Sequence, residues 1–129
     1  MQLIDRHLGI SPDALNVRSQ RFELLSANLA NADTPGYKAR DIDFAATLAR
    51  VRQGEGEMRT THGSHMQAGS GPLHMQVKYR VPAQASLDGN TVETQQEHAA
   101  FMDNAIRYQA SLNFLDGRIK SIISALKME

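Results

Sequence analysis

The stretch that decides the fold is "FMDNAIRYQASLNFLDGRIKSIISAL", which runs from Phe101 to Leu126. Apolar residues recur in it at alternating steps of four and three, which is the heptad pattern of a coiled coil. This seam consists of Phe101, Ala105, Tyr108, Leu112, Leu115, Ile119, Ile122 and Leu126. The sequence therefore predicts a long C-terminal helix, from about Thr91 to Lys127, with one apolar stripe. Capping-box spacings at Asn90–Glu93 and Thr94–Glu97 mark its start.

The predicted length of this helix limits how the seam can be covered. At 1.5 Å per residue the helix is about 55 Å long, whereas a compact chain of 129 residues is only about 36 Å across. Two interpretations remain open, namely the core of a simple helical bundle or a surface that packs against other molecules. The length favours the second.

A second apolar stripe lies near the N-terminus. Ser11 and Pro12 are good residues for the start of a helix, and the pattern predicts a helix from Pro12 to Asn31. Its seam positions are Leu15, Phe22, Leu25 and Leu29. The expected fold is mainly α, an elongated coiled-coil-like pair of long N- and C-terminal helices that is antiparallel or steeply crossed.

The middle of the chain is different in character. Phe44, Leu48 and Val51 have the spacing of a short helix, and residues 54–71 hold five of the nine glycines, which indicates a loop. "LHMQVKYRV", Leu73–Val81, alternates apolar and polar residues like a strand. Its partner is left open between a hairpin with Met58–Met66 and a neighbouring chain. We expect one structural unit of three parts, residues 1–32, 33–90 and 91–129.

The composition excludes several functional classes. The chain has no cysteine and a formal net charge of +0, so thiol chemistry and a basic surface for nucleic acid are not expected. No apolar run reaches the roughly 20 residues of a membrane span. The first residues, "MQLIDRHLGI", lack the features of a secretory signal. The chain is expected to be cytosolic or to be exported without a cleaved signal peptide.

Candidate catalytic and metal-binding residues are few. His62, His65 and His74 have loose spacing in a glycine-rich host segment, which is a poor pattern for a metal site. Asp41 and Asp43 could ligate a cation, but each is better explained as a cap for the following helix. No serine stands in a nucleophile motif. We expect no enzyme, no metal and no cofactor.

Between the first helix and the middle segment lies "SANLANADTPGYKARDIDF", Ser26–Phe44. Asn28 and Asn31 are of the type that terminates helices, and Thr34 before proline disfavours helical dihedrals. Pro35-Gly36 fits the centre of a type II turn, and Tyr37 would pack over it. By itself this stretch predicts only a helix, a turn and an extended exit.

The same stretch resembles a known family. "ANLANADTPGYKARDIDF" is similar to the N-terminal motif of the flagellar rod, hook and hook-associated axial proteins, and its continuation "KARDIDFAATL" is similar to the B-type proximal rod family, FlgB. A second stretch, "YRVPAQASLDGNTVETQQE" from Tyr79 to Glu97, resembles the family's segment leading into its C-terminal helix.

The resemblance implies a structural subunit of the bacterial flagellar basal-body rod, which self-assembles through its terminal helices into the torque-transmitting drive shaft. It implies an assembly turn made by Asn28, Asn31, Thr34, Pro35, Gly36 and Tyr37. Implied partners are further copies of the chain, the C-type proximal rod protein, the rod-base adaptor and the flagellar type III export apparatus. The implied location is the periplasmic part of the rod. The alternative is a soluble helical adaptor or type III secretion chaperone that binds a partner helix.

Overall fold

The computed structural model describes residues 8–9, 11–53 and 77–127. Its elements are three helices and two short strands. They are α1 (Ser11–Ala30), β1 (Arg40–Ile42), α2 (Phe44–Gln53), β2 (Val77–Tyr79) and α3 (Thr94–Lys127). The expected fold, mainly helical with two long terminal helices, is confirmed. None of the described helices combines the length and hydropathy that a bilayer crossing requires.

Helices α1 and α3 lie antiparallel, with side chains near the end of α1 meeting the start of α3. Val17 and Leu25 of α1 are fully buried. The Phe22 ring stands edge-to-face against Phe101 and Tyr108, with centroid distances of 5.0 Å and 5.8 Å. Such aromatic pairs contribute about 0.5–1.5 kcal/mol each beyond their burial. This cluster holds the first half of α3 against α1.

The two helices differ in length, as the sequence predicts. Helix α3 has 34 residues and is about 51 Å long, whereas α1 has 20 residues and is about 30 Å long. In the far half of the seam every second residue is consequently exposed, by 36% at Leu112, 40% at Ile119 and 75% at Leu126, while Leu115 and Ile122 are half-buried. The apolar seam is therefore longer than the helix that covers it.

Strands β1 and β2 form a two-stranded antiparallel sheet, with Arg40 opposite Tyr79 and Ile42 opposite Val77. The strand predicted over Leu73–Val81 is observed as Val77–Tyr79. Residues 73–76 and the expected hairpin partner, 58–66, lie outside the described residues. The observed partner is β1, a segment that the sequence does not single out because three residues are too few to show alternation.

The charged face of β2, and not its apolar face, is turned towards the helices. Lys78 reaches Asp43 at 3.3 Å, and Arg80 next to the strand contacts Asp41 and Glu97. On the opposite face Tyr79 is 72% exposed and Val81 is 88% exposed. Ion pairing therefore decides which face of the strand packs on the helices.

The helix starts agree only in part with the predicted caps. Asp43 caps α2, because the Ala46 N–H donates to its Oδ1 at 3.1 Å, and the predicted short helix is confirmed. Helix α3 begins at Thr94, not near Thr91, and neither predicted capping box forms. Glu93 instead accepts from the Ala83 N–H at 3.0 Å. At the start of α3, therefore, the Glu93 carboxylate binds a backbone group outside the helix instead of capping it.

The turn after α1 has the predicted type II form. Helix α1 ends at Ala30, one residue before the predicted Asn31. The Tyr37 N–H donates to the Thr34 carbonyl at 3.3 Å, and Gly36 takes a positive φ of 73°. Only glycine adopts this conformation without strain, so the turn depends on Gly36.

We expect Gly36→Ala to lower the free energy of unfolding by about 1–2 kcal/mol, the cost of a left-handed alanine. A Cβ at Gly36 would meet no described atom within 4 Å, so backbone strain is the whole effect. The matched control is Gly117→Ala, also sterically open but helical, which should stabilise by up to about 1 kcal/mol. Chemical denaturation measures both, and equal changes in the two variants would contradict this account of the turn.

Candidate assembly joint

The centre of the candidate site is the side chain of Asn28, which is fully buried on α1. Its Nδ2 donates to the Arg40 carbonyl at 2.8 Å, and its Oδ1 accepts from the Arg40 N–H at 3.0 Å. The Asn28 side chain thus bonds to both backbone groups of Arg40, as a residue of a neighbouring β-strand would. These two hydrogen bonds attach β1 to α1. Nδ2 also donates to Glu97 of α3 at 3.1 Å. One amide therefore joins α1, β1 and α3.

A network of alternating charges surrounds this amide. Glu97 is fully buried and its carboxylate binds Arg80. Arg80 also donates to Asp41 at 2.7 Å, and Asp41 accepts two hydrogen bonds from Arg21, at 2.8 Å and 2.9 Å. Two acids and two bases balance, as buried charges require. The network connects α1, both strand segments and α3.

The ionisation of Asp41 is set by competing effects. Burial raises the pKa of Asp41, but the hydrogen bonds from Arg21, from the Ile42 N–H and from Arg80 outweigh it, so the pKa lies below its ordinary value. The same hydrogen bond raises the pKa of Arg21. Both groups are therefore charged at neutral pH, and their attraction is present there.

The residues just before α3 clamp the turn that follows α1. The Asn90 amide lies 2.8–3.1 Å from the carbonyl oxygens of Asn31, Ala32 and Thr34. It thereby satisfies carbonyls that the end of a helix leaves free. The Gly36 N–H donates to the Asp88 carbonyl at 2.9 Å, and the Thr91 N–H donates to the Tyr37 carbonyl at 3.0 Å. We call this whole arrangement, from Asn28 to Tyr37 and from Asp88 to Thr91, the joint.

The structure brings all six predicted turn residues into the joint, but in different settings. Asn31 ends the helix as expected, since its Nδ2 donates to the Ala27 carbonyl at 2.8 Å. Thr34 donates to the Asn31 side chain at 3.1 Å. Pro35 and Gly36 are exposed, and Tyr37 is half-buried. Asn28 does not cap the helix end but binds β1 and α3.

The seam residues divide into a covered and an uncovered set. The covered set is buried or half-buried and consists of Leu15, Phe22, Leu25, Leu29, Phe101, Ala105, Tyr108, Leu115 and Ile122. Leu112, Ile119 and Leu126 are exposed. Further exposed apolar side chains of α3 lie on its other sides, namely Met102, Ile106 and Phe114. Fully buried Val17 belongs to the core although the predicted seam omits it.

Comparison with known proteins agrees with this arrangement. The family model described as "Flagella basal body rod protein" matches residues 10–38, which cover α1 and the turn of the joint. The flagellar basal body rod protein FlgB of Cereibacter sphaeroides is 48% identical over 122 residues, covering 95% of this chain and 94% of that protein. The FlgB of Escherichia coli is 44% identical over 131 residues, covering 96% and 95%. The FlgB of Salmonella typhimurium is 45% identical over 132 residues, with the same coverage.

The chain belongs to the FlgB family of flagellar basal body rod proteins. The relatives match it from end to end, so the resemblance extends from the turn to the long C-terminal helix.

Most of the residues that form the joint and the charged network around it in this FlgB family member are not identifiable from the sequence. Arg21 and Arg80 show no motif of their own, and the capping-box spacings predict local caps for Asn90 and Glu97 that do not form. The interpretation of Asp41 as a helix cap is wrong, because it pairs with Arg21 and Arg80. The sequence shows acids near the helix starts, each of which could cap a helix or pair with a cation, and only the fold distinguishes these two roles.

Metal ligation finds no support in the described part of this FlgB family chain, where no three His, Asp or Glu side chains converge. Asp41 and Asp43 are each engaged with cationic side chains or a backbone N–H. His62, His65 and His74 lie outside the described residues. The chemistry of the joint is hydrogen bonding and ion pairing between parts of one chain.

We expect Asn28→Ala to lower the free energy of unfolding by about 2–4 kcal/mol, because the Arg40 backbone and the Glu97 carboxylate lose partners while buried. The control is Asn31→Ala, which removes two hydrogen bonds that solvent can replace and should cost about 1 kcal/mol or less. Urea denaturation of the two variants provides the comparison. Equal losses would show that burial of the Asn28 amide is unimportant.

Acid should weaken the joint through Asp41. Because its folded pKa is depressed, Asp41 contributes stability above its unfolded pKa of about 3.9, and this contribution is lost as the pH falls through the folded value. We expect the melting temperature to hold from pH 7 to about 5 and then to fall. Asp41→Asn should be less stable at pH 7 and less sensitive to acid. A variant with the unaltered acid profile would contradict this role.

Proposed function

We propose that this chain builds the proximal rod by packing the exposed row of the α3 seam, Leu112, Ile119 and Leu126, against neighbouring subunits, while the joint fixes the angle between α1 and α3. As a member of the FlgB family, it is a structural subunit of the flagellar basal body rod. The observation that supports this proposal is that Leu112, Ile119 and Leu126 continue the covered seam but remain exposed in the single chain.

The exposed seam is costly for an isolated molecule. Full burial of one large apolar side chain contributes about 1.5–3 kcal/mol. The row of Leu112, Ile119 and Leu126 therefore offers several kcal/mol to any helix that covers it. A helix of another copy, with the same heptad spacing, fits this row by knobs-into-holes packing. The resulting assembly is a bundle in which each long helix is covered partly by its own chain and partly by neighbours.

A second surface supports the same role. The exposed face of β2, formed by Val77 and Tyr79 and continued by Val81, is apolar and rests on the charged network behind it. A neighbouring subunit that covers this face would pack next to the joint, and ion pairs keep the joint in one conformation. Such a joint suits a shaft that transmits torque, because the elements on its two sides cannot turn independently.

The expected partners and location are those that the family resemblance implies. Neighbours in the rod are further copies, the C-type proximal rod protein and the rod-base adaptor, in the periplasmic part of the basal body. The chain reaches that site unfolded through the type III export apparatus, and a chain with no cysteine forms no disulfide on the way. It acts by assembly, without catalysis and without a cofactor.

The test replaces a seam residue with a charge. Leu112→Asp or Ile119→Asp should abolish swimming while the protein is still made and exported, because a carboxylate in a subunit contact costs several kcal/mol when it is buried without a partner. The control is Asn113→Asp, an exposed position beside the seam, which should swim normally. Motility in soft agar and export blots are the measurements.

The outcomes separate assembly from binding of a soluble partner. A Leu112→Asp strain that swims normally would contradict the role of the seam. Rods that assemble normally in such a strain, with loss of a soluble complex, would favour an adaptor or chaperone.

A further inference from the structure

The apolar seam alone does not determine how α1 is aligned along α3. Its residues repeat every seven positions, so a shift of seven residues would place Tyr108 and Leu115 where Phe101 and Tyr108 now contact Phe22. Apolar contacts tolerate such exchanges when the volumes are similar. The shifted pair would keep a continuous apolar interface. Another feature must therefore reject it.

A row of polar residues runs beside the seam at one position of each heptad. Its members are Glu97, Asn104, Ser111 and Arg118. Three of them bond to the N-terminal part of the chain. Asn28 donates to Glu97 at 3.1 Å, Asn104 donates to the Arg18 carbonyl at 3.0 Å, and Arg118 donates to the Leu8 carbonyl at 2.9 Å. Ser111 donates to the Arg107 carbonyl of its own helix.

Each member of the row differs in charge or size, so the row is not periodic although the seam is. A shift of seven residues would bring Asn104 to the position of Glu97, next to Arg80, and would leave Ser111 in the place of Asn104. The half-buried Arg80 would then lose its bond to Glu97 and keep only Asp41. The polar row therefore favours the observed alignment over an alignment shifted by seven residues.

Asn104 contributes little to stability by itself. Its side chain is fully buried, and its Oδ1 has no hydrogen-bond partner among the described residues. A buried acceptor without a partner costs free energy. In helical pairs, one buried asparagine lowers stability but specifies register.

We propose that the polar row Glu97, Asn104 and Arg118 selects the alignment of α1 along α3, and so decides which seam residues are left for other molecules. The joint holds Glu97 at one end. Asn104 and Arg118 continue the same alignment over 21 further residues, about 31 Å of helix. This inference concerns the single chain and holds whether or not the seam meets other rod subunits.

The experiment measures the alignment directly in the full chain. Because the chain has no cysteine, Glu23→Cys and Ala110→Cys, both at exposed positions, can carry spin labels for double electron–electron resonance. The parent should give one narrow distance distribution. Asn104→Leu should add a second population, in which a shift of seven residues changes the axial offset of the labels by about 10 Å. Asn104→Leu should not lower the melting temperature.

The double variant Asn104→Leu, Arg118→Leu should enlarge the second population. The control is Asn113→Leu, the same change at an exposed asparagine that bonds only within α3, and it should keep the single distance. One unchanged distance in both row variants, or a second population in the control, would overturn the proposal. Circular dichroism reports helix content, and if the double variant does not fold, the Asn104→Leu result decides.

Discussion

The buried carboxylate of Glu97 is the constraint on which the rest of the structure depends. An ionised side chain away from water must be paired, and breaking such a pair costs about 3–5 kcal/mol. Its two partners come from separate parts of the chain, because Asn28 lies on α1 and Arg80 follows β2, and Arg80 in turn binds Asp41 of β1. Satisfying this one group therefore brings the elements of the joint together.

The paired charges also explain the unusual orientation of the small sheet. Since Arg80 must face Glu97, the alternation of a strand directs Tyr79 and Val81 outwards. Among the described residues, the chain thus exposes apolar surface on this face of β2 and along α3, where Leu112, Ile119 and Leu126 lie. The β2 face is exposed because ion pairing turns the charged face inwards. The α3 seam is exposed because α3 is longer than α1, the helix that packs on it. As a member of the FlgB family the chain is a rod subunit, and neighbours in the rod are the cover that we propose for both surfaces.

Apolar and polar residues have separate roles along the helix pair. The aromatic contacts of Phe22 with Phe101 and Tyr108 supply attraction without choosing an alignment. Hydrogen bonds made by Asn104 and Arg118 are directional, and each has one partner on the N-terminal segment. Attraction and specificity are therefore carried by adjacent rows of the same helix.

The sequence by itself determined the long helices, the type II turn at Gly36, the short helix after Asp43 and the excess length of the α3 seam. These features depend on neighbours in the chain, and periodicity and turn chemistry report such neighbours directly. Only the tertiary structure decided that β1 pairs with β2, that Asp41 binds two arginines and that Glu97 is buried. A carboxylate near a helix start has several possible partners, and the choice depends on which distant cation the fold brings within 3 Å of it. That choice is a property of three-dimensional proximity, which no local pattern contains.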